Sequence, residues 1–253
     1  MTRGAGPIHP VAAAGFAATD AYEQARPSYG PEAVGALCRA TGIGAGADVV
    51  ELGPGTGKLT RHLADTGARV VAVEPGAEMR HKLRQTVPEV SVVDATAEAT
   101  TLPSASADAV VAAQAFHWFA GDKALGEIHR LLGPGGHVGL IWAMRDERVP
   151  WVRDLYDLIA PYEASVPRYR SGSWRSVFER TELFTPLKEA HFGYDQDMDP
   201  DRLVMRLASM SFIAVLPAGE RQRVLDGARE VVADLGERFV LPHVVDVFWC
   251  ARR

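Results

Sequence analysis

The chain has 253 residues, of which 47% are hydrophobic and 23% charged, and carries a net charge of −5. That length accommodates one large α/β domain with a modest insertion, and an acidic balance with no basic tract excludes a nucleic-acid partner, whose phosphates need clustered Lys and Arg. Two cysteines, Cys38 and Cys250, cannot build a disulfide framework and stand in no metal-ligand spacing. No run approaches the roughly 18 apolar residues that cross a bilayer, and the short apolar stretch 11–18 lacks the basic lead of a signal peptide. The expectation is a reduced cytoplasmic protein, monomer or homodimer, with no metal, no membrane and a small-molecule partner.

Residues 1–30 read as an N-terminal cap segment, with its first 19 residues rich in Ala, Gly and Pro. A helical pattern begins at Asp20, breaks at Arg26-Pro27-Ser28-Tyr29-Gly30-Pro31, and resumes through Val34 and Leu37. From residue 31 to 145, short apolar runs alternate with amphipathic stretches. Strands are predicted at 48–52, 70–74, 90–94, 109–113 and 138–142, each a nearly continuous Val/Ala/Leu/Ile run, as for parallel strands covered on both faces. Helices are predicted near 58–66, 77–85 and 123–132, the last stopped by Gly133-Pro134-Gly135-Gly136. Alternation at this spacing means right-handed βαβ units in a doubly wound sheet. After Trp142 the rhythm changes. Residues 146–182 are rich in aromatics and broken by Pro150, Pro161 and Pro167, and read as a helical lid over an acceptor. Residues 183–253 add strands near 187–194 and 244–250 and helices near 200–210 and 219–235, which complete a seven-stranded, mostly parallel sheet.

The sharpest motif is Glu51-Leu52-Gly53-Pro54-Gly55-Thr56-Gly57, where the first strand turns toward a helix. Glycines at alternate positions allow a tight turn and a close backbone approach to a ligand. An acid, Glu74, follows 21 residues after Gly53, at the end of the second predicted strand. A carboxylate there can accept both hydroxyls of a ribose. The dinucleotide fingerprint G-x-G-x-x-G is not met, because Lys58 occupies its last position. Glu51 would moreover repel a pyrophosphate and attract the ammonium of an amino acid. The pattern suits a nucleoside joined to an amino acid.

With these residues in view, the chain resembles class I methyltransferases dependent on S-adenosylmethionine (SAM), in their small-molecule branch, methyltransferase type 11. The resemblance is carried by E-x-G-x-G-x-G followed by V-x-x-V-E-P, by Ala97-Glu98 ahead of Leu102-Pro103, and by Leu131-Leu132-Gly133-Pro134-Gly135-Gly136. It implies a Rossmann-like fold with SAM as cofactor. Gly53, Gly55, Thr56 and Gly57 would line the methionine moiety, and Glu51 would reach its amino group. Glu74 would hold the ribose, with Pro75 and Met79 against the adenine and Thr96, Ala97 and Glu98 at its edge. Ala113 and Gln114 would close on the methionine, and Tyr22 and Arg26, in the similar N-terminal cap, would complete the cofactor site, with Arg26 at the carboxylate.

Gln114-Ala115-Phe116-His117-Trp118-Phe119 follows the fourth predicted strand, where acceptor-side residues sit in such folds. The Asn/Asp-Pro-Pro-Tyr segment of methyltransferases acting on DNA bases is missing, a second reason against nucleic acid. His117 is the candidate general base, with the alternative that it shapes the pocket. Phe116, Trp118, Trp151, Tyr169 and Trp174 are candidates for the acceptor wall, with Arg168, Arg170 and Arg175 nearby in sequence. The expected reaction is methyl transfer to a carboxylate or hydroxyl oxygen of a small, largely apolar metabolite. N- or C-methylation, and a cofactor-binding protein that guides a cyclisation, are the alternatives.

Overall fold

The computed structural model describes residues 28–163 and 169–253. Tyr22, Arg26 and Arg168 lie outside these residues. The elements are α1 (Pro31–Thr41), β1 (Asp48–Leu52), α2 (Thr60–Ala64), β2 (Arg69–Val73), α3 (Ala77–Thr86), β3 (Ser91–Val93), β4 (Ala107–Ala113), α4 (Gly121–Leu131) and β5 (Leu132–Arg145). They continue as α5 (Pro150–Ile159), α6 (Ser173–Arg180), β6 (Lys188–Met198), α7 (Pro200–Ala208), α8 (Ser211–Ala214), α9 (Ala218–Val231) and β7 (Phe239–Ala251).

The strands form one sheet in the order β3-β2-β1-β4-β5-β7-β6. The first five are parallel, and β7 runs antiparallel to both β5 and β6. The chain moves outward from β1 through β2 to β3, then returns to the other flank of β1 as β4. At such a reversal the loops after β1 and β4 diverge to opposite faces and leave a crevice at the carboxyl ends of the strands. No described helix is long and apolar enough to cross a membrane.

Both sheet faces are buried, as the continuous apolar runs require. One face, with Val50, Leu52, Val110, Leu140, Trp142 and Phe248, packs under α4 and α6. The other, with Val49, Val111, Ile141, Val245 and Val247, packs under α1 and α2. A third cluster joins α5, α7 and α9 to Met198 and Leu241, at facing ends of β6 and β7.

Two expectations change here. The predicted lid of residues 146–182 splits: α5 packs with α7 and α9 in the third cluster, while α6 inserts Trp174, Val177 and Phe178 into the main core. The Gly133–Gly136 stop is absorbed into β5 as an irregularity, where the register jumps from Ala107 opposite Leu132 to Ala109 opposite His137. Strand pairing with β4 on both sides of the glycines holds them in the sheet.

Candidate active site

The glycine loop caps the carboxyl end of β1. Gly53 has φ of 67°, and a Cβ there would stand 2.9 Å from the Ala115 methyl. Gly57 has φ of 91°, and its Cβ would meet the Leu83 methyl at 2.5 Å. Neither position admits a side chain, because left-handed backbone and close approach act together. Gly55, at φ of 59°, faces open space, with nothing within 4 Å of where its Cβ would be. The loop is pinned from behind by Thr86, whose hydroxyl donates to the Thr56 carbonyl at 2.8 Å.

Glu51 is fully buried at the last turn of β1. Thr60, at the start of α2, donates its hydroxyl to Oε2 at 2.6 Å, while Oε1 has no hydrogen-bond partner among the described residues. Burial, reinforced by the nearby Glu74 carboxylate, pushes the Glu51 carboxyl up to about 7 despite the Thr60 bond. A buried acceptor left unsatisfied costs free energy that an arriving donor would recover.

Glu74 follows β2 and is also buried. Its Oε2 accepts the Gly55 N–H at 3.1 Å and its Oε1 the Gly76 N–H at 2.8 Å. Burial raises its pKa, and these two N–H bonds work against the rise. Glu74 therefore ties the crest of the glycine loop to the β2–α3 turn. Arg80 fixes that turn from outside, donating to the Glu74 carbonyl at 2.9 Å and pairing with Asp94 at 2.7 Å. Pro75 is half-buried and Met79 fully buried on the same turn and helix.

After β3, Thr96 bridges to Ala99, and Ala97 is buried. Glu98 accepts the Ala120 N–H at 2.8 Å, which ties this loop to the start of α4. Gln114, after Ala113 at the end of β4, has φ of 54°, a conformation few non-glycine residues hold. It is held there by its N–H to the Ile141 carbonyl at 2.9 Å and its Nε2 to the Ala143 carbonyl at 2.7 Å. Thus the expected cofactor residues within the described chain converge on the carboxyl ends of β1 through β4.

The acceptor candidates separate. His117 lies in a single 3₁₀ turn, Phe116–Trp118, separated from that strained residue by Ala115. Its Nδ1 accepts the indole N–H of Trp142 at 3.2 Å, and its ring lies 5.3 Å from that of Trp118. Tyr169 and Trp174 gather on Trp142, with centroids 4.9 and 4.5 Å from it, and Phe248 closes the cluster at 5.8 Å. Two candidates do not join them. Phe116 is 1% exposed and packs between Phe119 and Phe178, so it is core and not wall. Trp151 packs edge-on against Phe239 in the α5–α9 cluster, away from the aromatic group on Trp142. Arg170 lies over the Tyr156 ring and pairs with Glu147, and Arg175 pairs with Glu189 at 2.7 Å.

Sequence reasoning missed four members of this region, Trp142, Phe248, Asp246 and His191. Trp142 read only as the end of a strand, although an indole closing a run of small aliphatic residues was the available signal. Asp246 accepts the Tyr169 hydroxyl at 2.5 Å and pairs with His191 Nδ1 at 2.6 Å. Those three residues come from separate parts of the chain, and no spacing links them.

Comparisons with known proteins identify the family and the fold. A family described as a methyltransferase domain matches residues 50–140. An uncharacterised methyltransferase of Mycobacterium tuberculosis is 39% identical over 217 residues, spanning 85% of this chain and 84% of its own. A methyltransferase-like protein of Schizosaccharomyces pombe, also uncharacterised, is 34% identical over 204 residues, spanning 80% and 79%. Among solved structures, a candidate type II methyltransferase of Anaeromyxobacter dehalogenans superimposes with a TM-score of 0.68 at 23% identity, over 90% of this chain and 97% of that one. A Haemonchus contortus phosphoethanolamine N-methyltransferase, solved with S-adenosylhomocysteine, superimposes with a TM-score of 0.53 at 16% identity, over 92% of this chain and 56% of that one. At such identities the structures share the fold.

Proposed function

The chain belongs to the class I SAM-dependent methyltransferases, and from that premise we propose that it methylates an oxygen of a small, largely apolar metabolite. The observation that carries the cofactor half of this reading is Glu51 Oε1, a buried acceptor with no partner among the described residues, beside the open crest of the glycine loop. Glu51 would receive the methionine ammonium, with the backbone of Gly53, Gly55, Thr56 and Gly57 along the methionine. Glu74 has a lone pair left on each carboxylate oxygen for the ribose hydroxyls after accepting Gly55 and Gly76. Pro75, Met79, Thr96, Ala97 and Glu98 would enclose the adenine, and Ala113 and Gln114 would close on the methionine, with Tyr22 in the cofactor site and Arg26 assigned to the methionine carboxylate.

SAM supplies a methyl already activated by the sulfonium, so these residues need only hold the acceptor oxygen in line behind it and keep water out. His117, Trp118, Tyr169 and Trp174 are the residues assigned to this role. The rings on Trp142 pack into the main core, and the polar atoms of the cluster are turned to each other: Trp174 Nε1 donates to the Tyr169 carbonyl at 3.0 Å and the Tyr169 hydroxyl to Asp246.

Calorimetric titration with SAM, S-adenosylhomocysteine and NAD tests the cofactor half. Binding of both sulfur ligands without NAD is expected, and binding of NAD alone would overturn the site. Mass spectrometry of acceptors incubated with SAM tests the other half, a gain of one methylene on oxygen being the expected product and methylated nitrogen or carbon the contrary one.

A further inference from the structure

Resting on that methyltransferase reading, we propose that Gln114 is a positioning residue that braces the cofactor loop from the acceptor side. Its side-chain amide replaces one rung of the β4–β5 ladder, and the chain so released turns Ala115 and Phe119 against Gly53.

In a parallel pair the rungs are evenly spaced, so N–H groups two residues apart on one strand meet carbonyls two residues apart on the next. The Gln114 N–H donates to the Ile141 carbonyl at 2.9 Å. Had β4 continued, the Phe116 N–H would have met the Ala143 carbonyl. Instead Gln114 Nε2 donates to that carbonyl at 2.7 Å. The side chain thus supplies the next rung, while the backbone leaves the sheet at φ of 54°. Few non-glycine residues hold that conformation, and two bonds to β5 from one residue over-determine it.

The turn after this bend is short and fastened at both ends. Within it the Trp118 N–H donates to the Ala115 carbonyl at 2.9 Å and the Phe119 N–H to the Phe116 carbonyl at 3.1 Å. At its far end the Ala120 N–H donates to Glu98 Oε1 at 2.8 Å, on the loop after β3. Between these fastenings lies Gly53, on which a Cβ would stand 2.9 Å from the Ala115 methyl and 3.5 Å from the Phe119 ring. The other side of Gly53 is held by β2, its N–H donating to the Val73 carbonyl at 2.9 Å. A displacement of the turn therefore reaches the glycine loop through Ala115 and Phe119. That route is distinct from any contact of Gln114 with the cofactor itself. The same turn carries His117 and Trp118, so Gln114 sets the acceptor candidates and the cofactor loop in one register.

Calorimetric titration with S-adenosylhomocysteine needs no acceptor and reads the brace directly. Gln114→Gly admits the left-handed backbone without strain and removes the amide. It is expected to melt near the wild type and to bind S-adenosylhomocysteine about 10-fold more weakly, as for a turn that keeps its place about a tenth of the time. Gln114→Asn also tolerates that backbone and ends one methylene short of Ala143. It should weaken binding likewise, and it carries the test if the glycine variant does not fold. Ala115→Gly takes away the methyl that meets Gly53. If the amide acts through that methyl, Gln114→Gly combined with Ala115→Gly should bind within about 2-fold of the weaker single variant. Hydrogen exchange in Gln114→Gly should quicken at residues 53–57 and stay unchanged in α1 and β7. Wild-type affinity in the Gln114 variants, unchanged exchange at residues 53–57, or losses that multiply in the double variant would overturn the brace. Failure of the wild type itself to bind S-adenosylhomocysteine would instead strike the methyltransferase reading.

Discussion

Two buried carboxylates sit in this sheet in opposite states. Glu51, at the carboxyl end of β1, has one oxygen occupied by Thr60 and the other without a partner among the described residues. Asp246, on β7, has both oxygens engaged, one by the Tyr169 hydroxyl and one by His191. The difference separates recognition from architecture. A satisfied buried acid organises its neighbours and stabilises the fold, whereas an incomplete one stores a deficit that a ligand can relieve. The same division holds for the surroundings. The Glu51 side has left-handed glycines and a strained Gln114, while the Asp246 side has tightly packed rings.

The largest expected effect tests the architectural half. Trp174→Ala removes a buried indole from the cluster on Trp142 and should cost about 3 to 5 kcal/mol of stability in denaturant unfolding. A cost below about 1 kcal/mol would mean that the cluster is a loose pocket and not core.

The next tests the deficit at Glu51. Burial pushes its pKa in the folded chain up to about 7 from the ordinary 4.5, so the folded state holds the proton in the interval between them. Stability linked to this group is complete below that lower value and is lost as pH rises through about 7, by about 3 kcal/mol in total. Affinity for SAM should move in the opposite sense, tightening over the same interval as the carboxylate forms. Glu51→Gln should flatten both profiles while weakening SAM, and thermal melts and calorimetry across pH read each. Profiles unchanged by the substitution would remove Glu51 from the site.

Glu74→Ala removes an acid that is partly satisfied already, so its effect should be smaller, a loss of roughly 1 to 3 kcal/mol in SAM binding. Unchanged calorimetric affinity would take the ribose away from it. Smallest is Tyr169→Phe, which leaves one oxygen of Asp246 without its donor and should cost about 1 to 2 kcal/mol of stability with SAM affinity unchanged. A large loss of SAM binding in that variant would erase the distinction between the two carboxylates.

The sequence by itself determined the parallel βαβ core, the glycine loop and the two acids that serve it. These are local signals: strands buried on both faces must be apolar throughout, and a loop that admits no Cβ must be glycine. The expected strands at 48–52 and 109–113 stand as β1 and within β4, and Glu51 and Glu74 meet because β1 and β2 pair in register. Only the tertiary structure decided which of the remaining aromatic and polar residues meet. His117 and Trp142 are 25 residues apart, His191 and Asp246 55, and Tyr169 and Asp246 77. Aromatic residues on successive helices looked equivalent in the sequence, yet Trp151 went to one cluster, Trp174 to another, and Phe116 beneath the site. Periodicity says that a side chain is buried, but which neighbours it is buried with depends on how the antiparallel β7 and the helices before it fold back over the sheet.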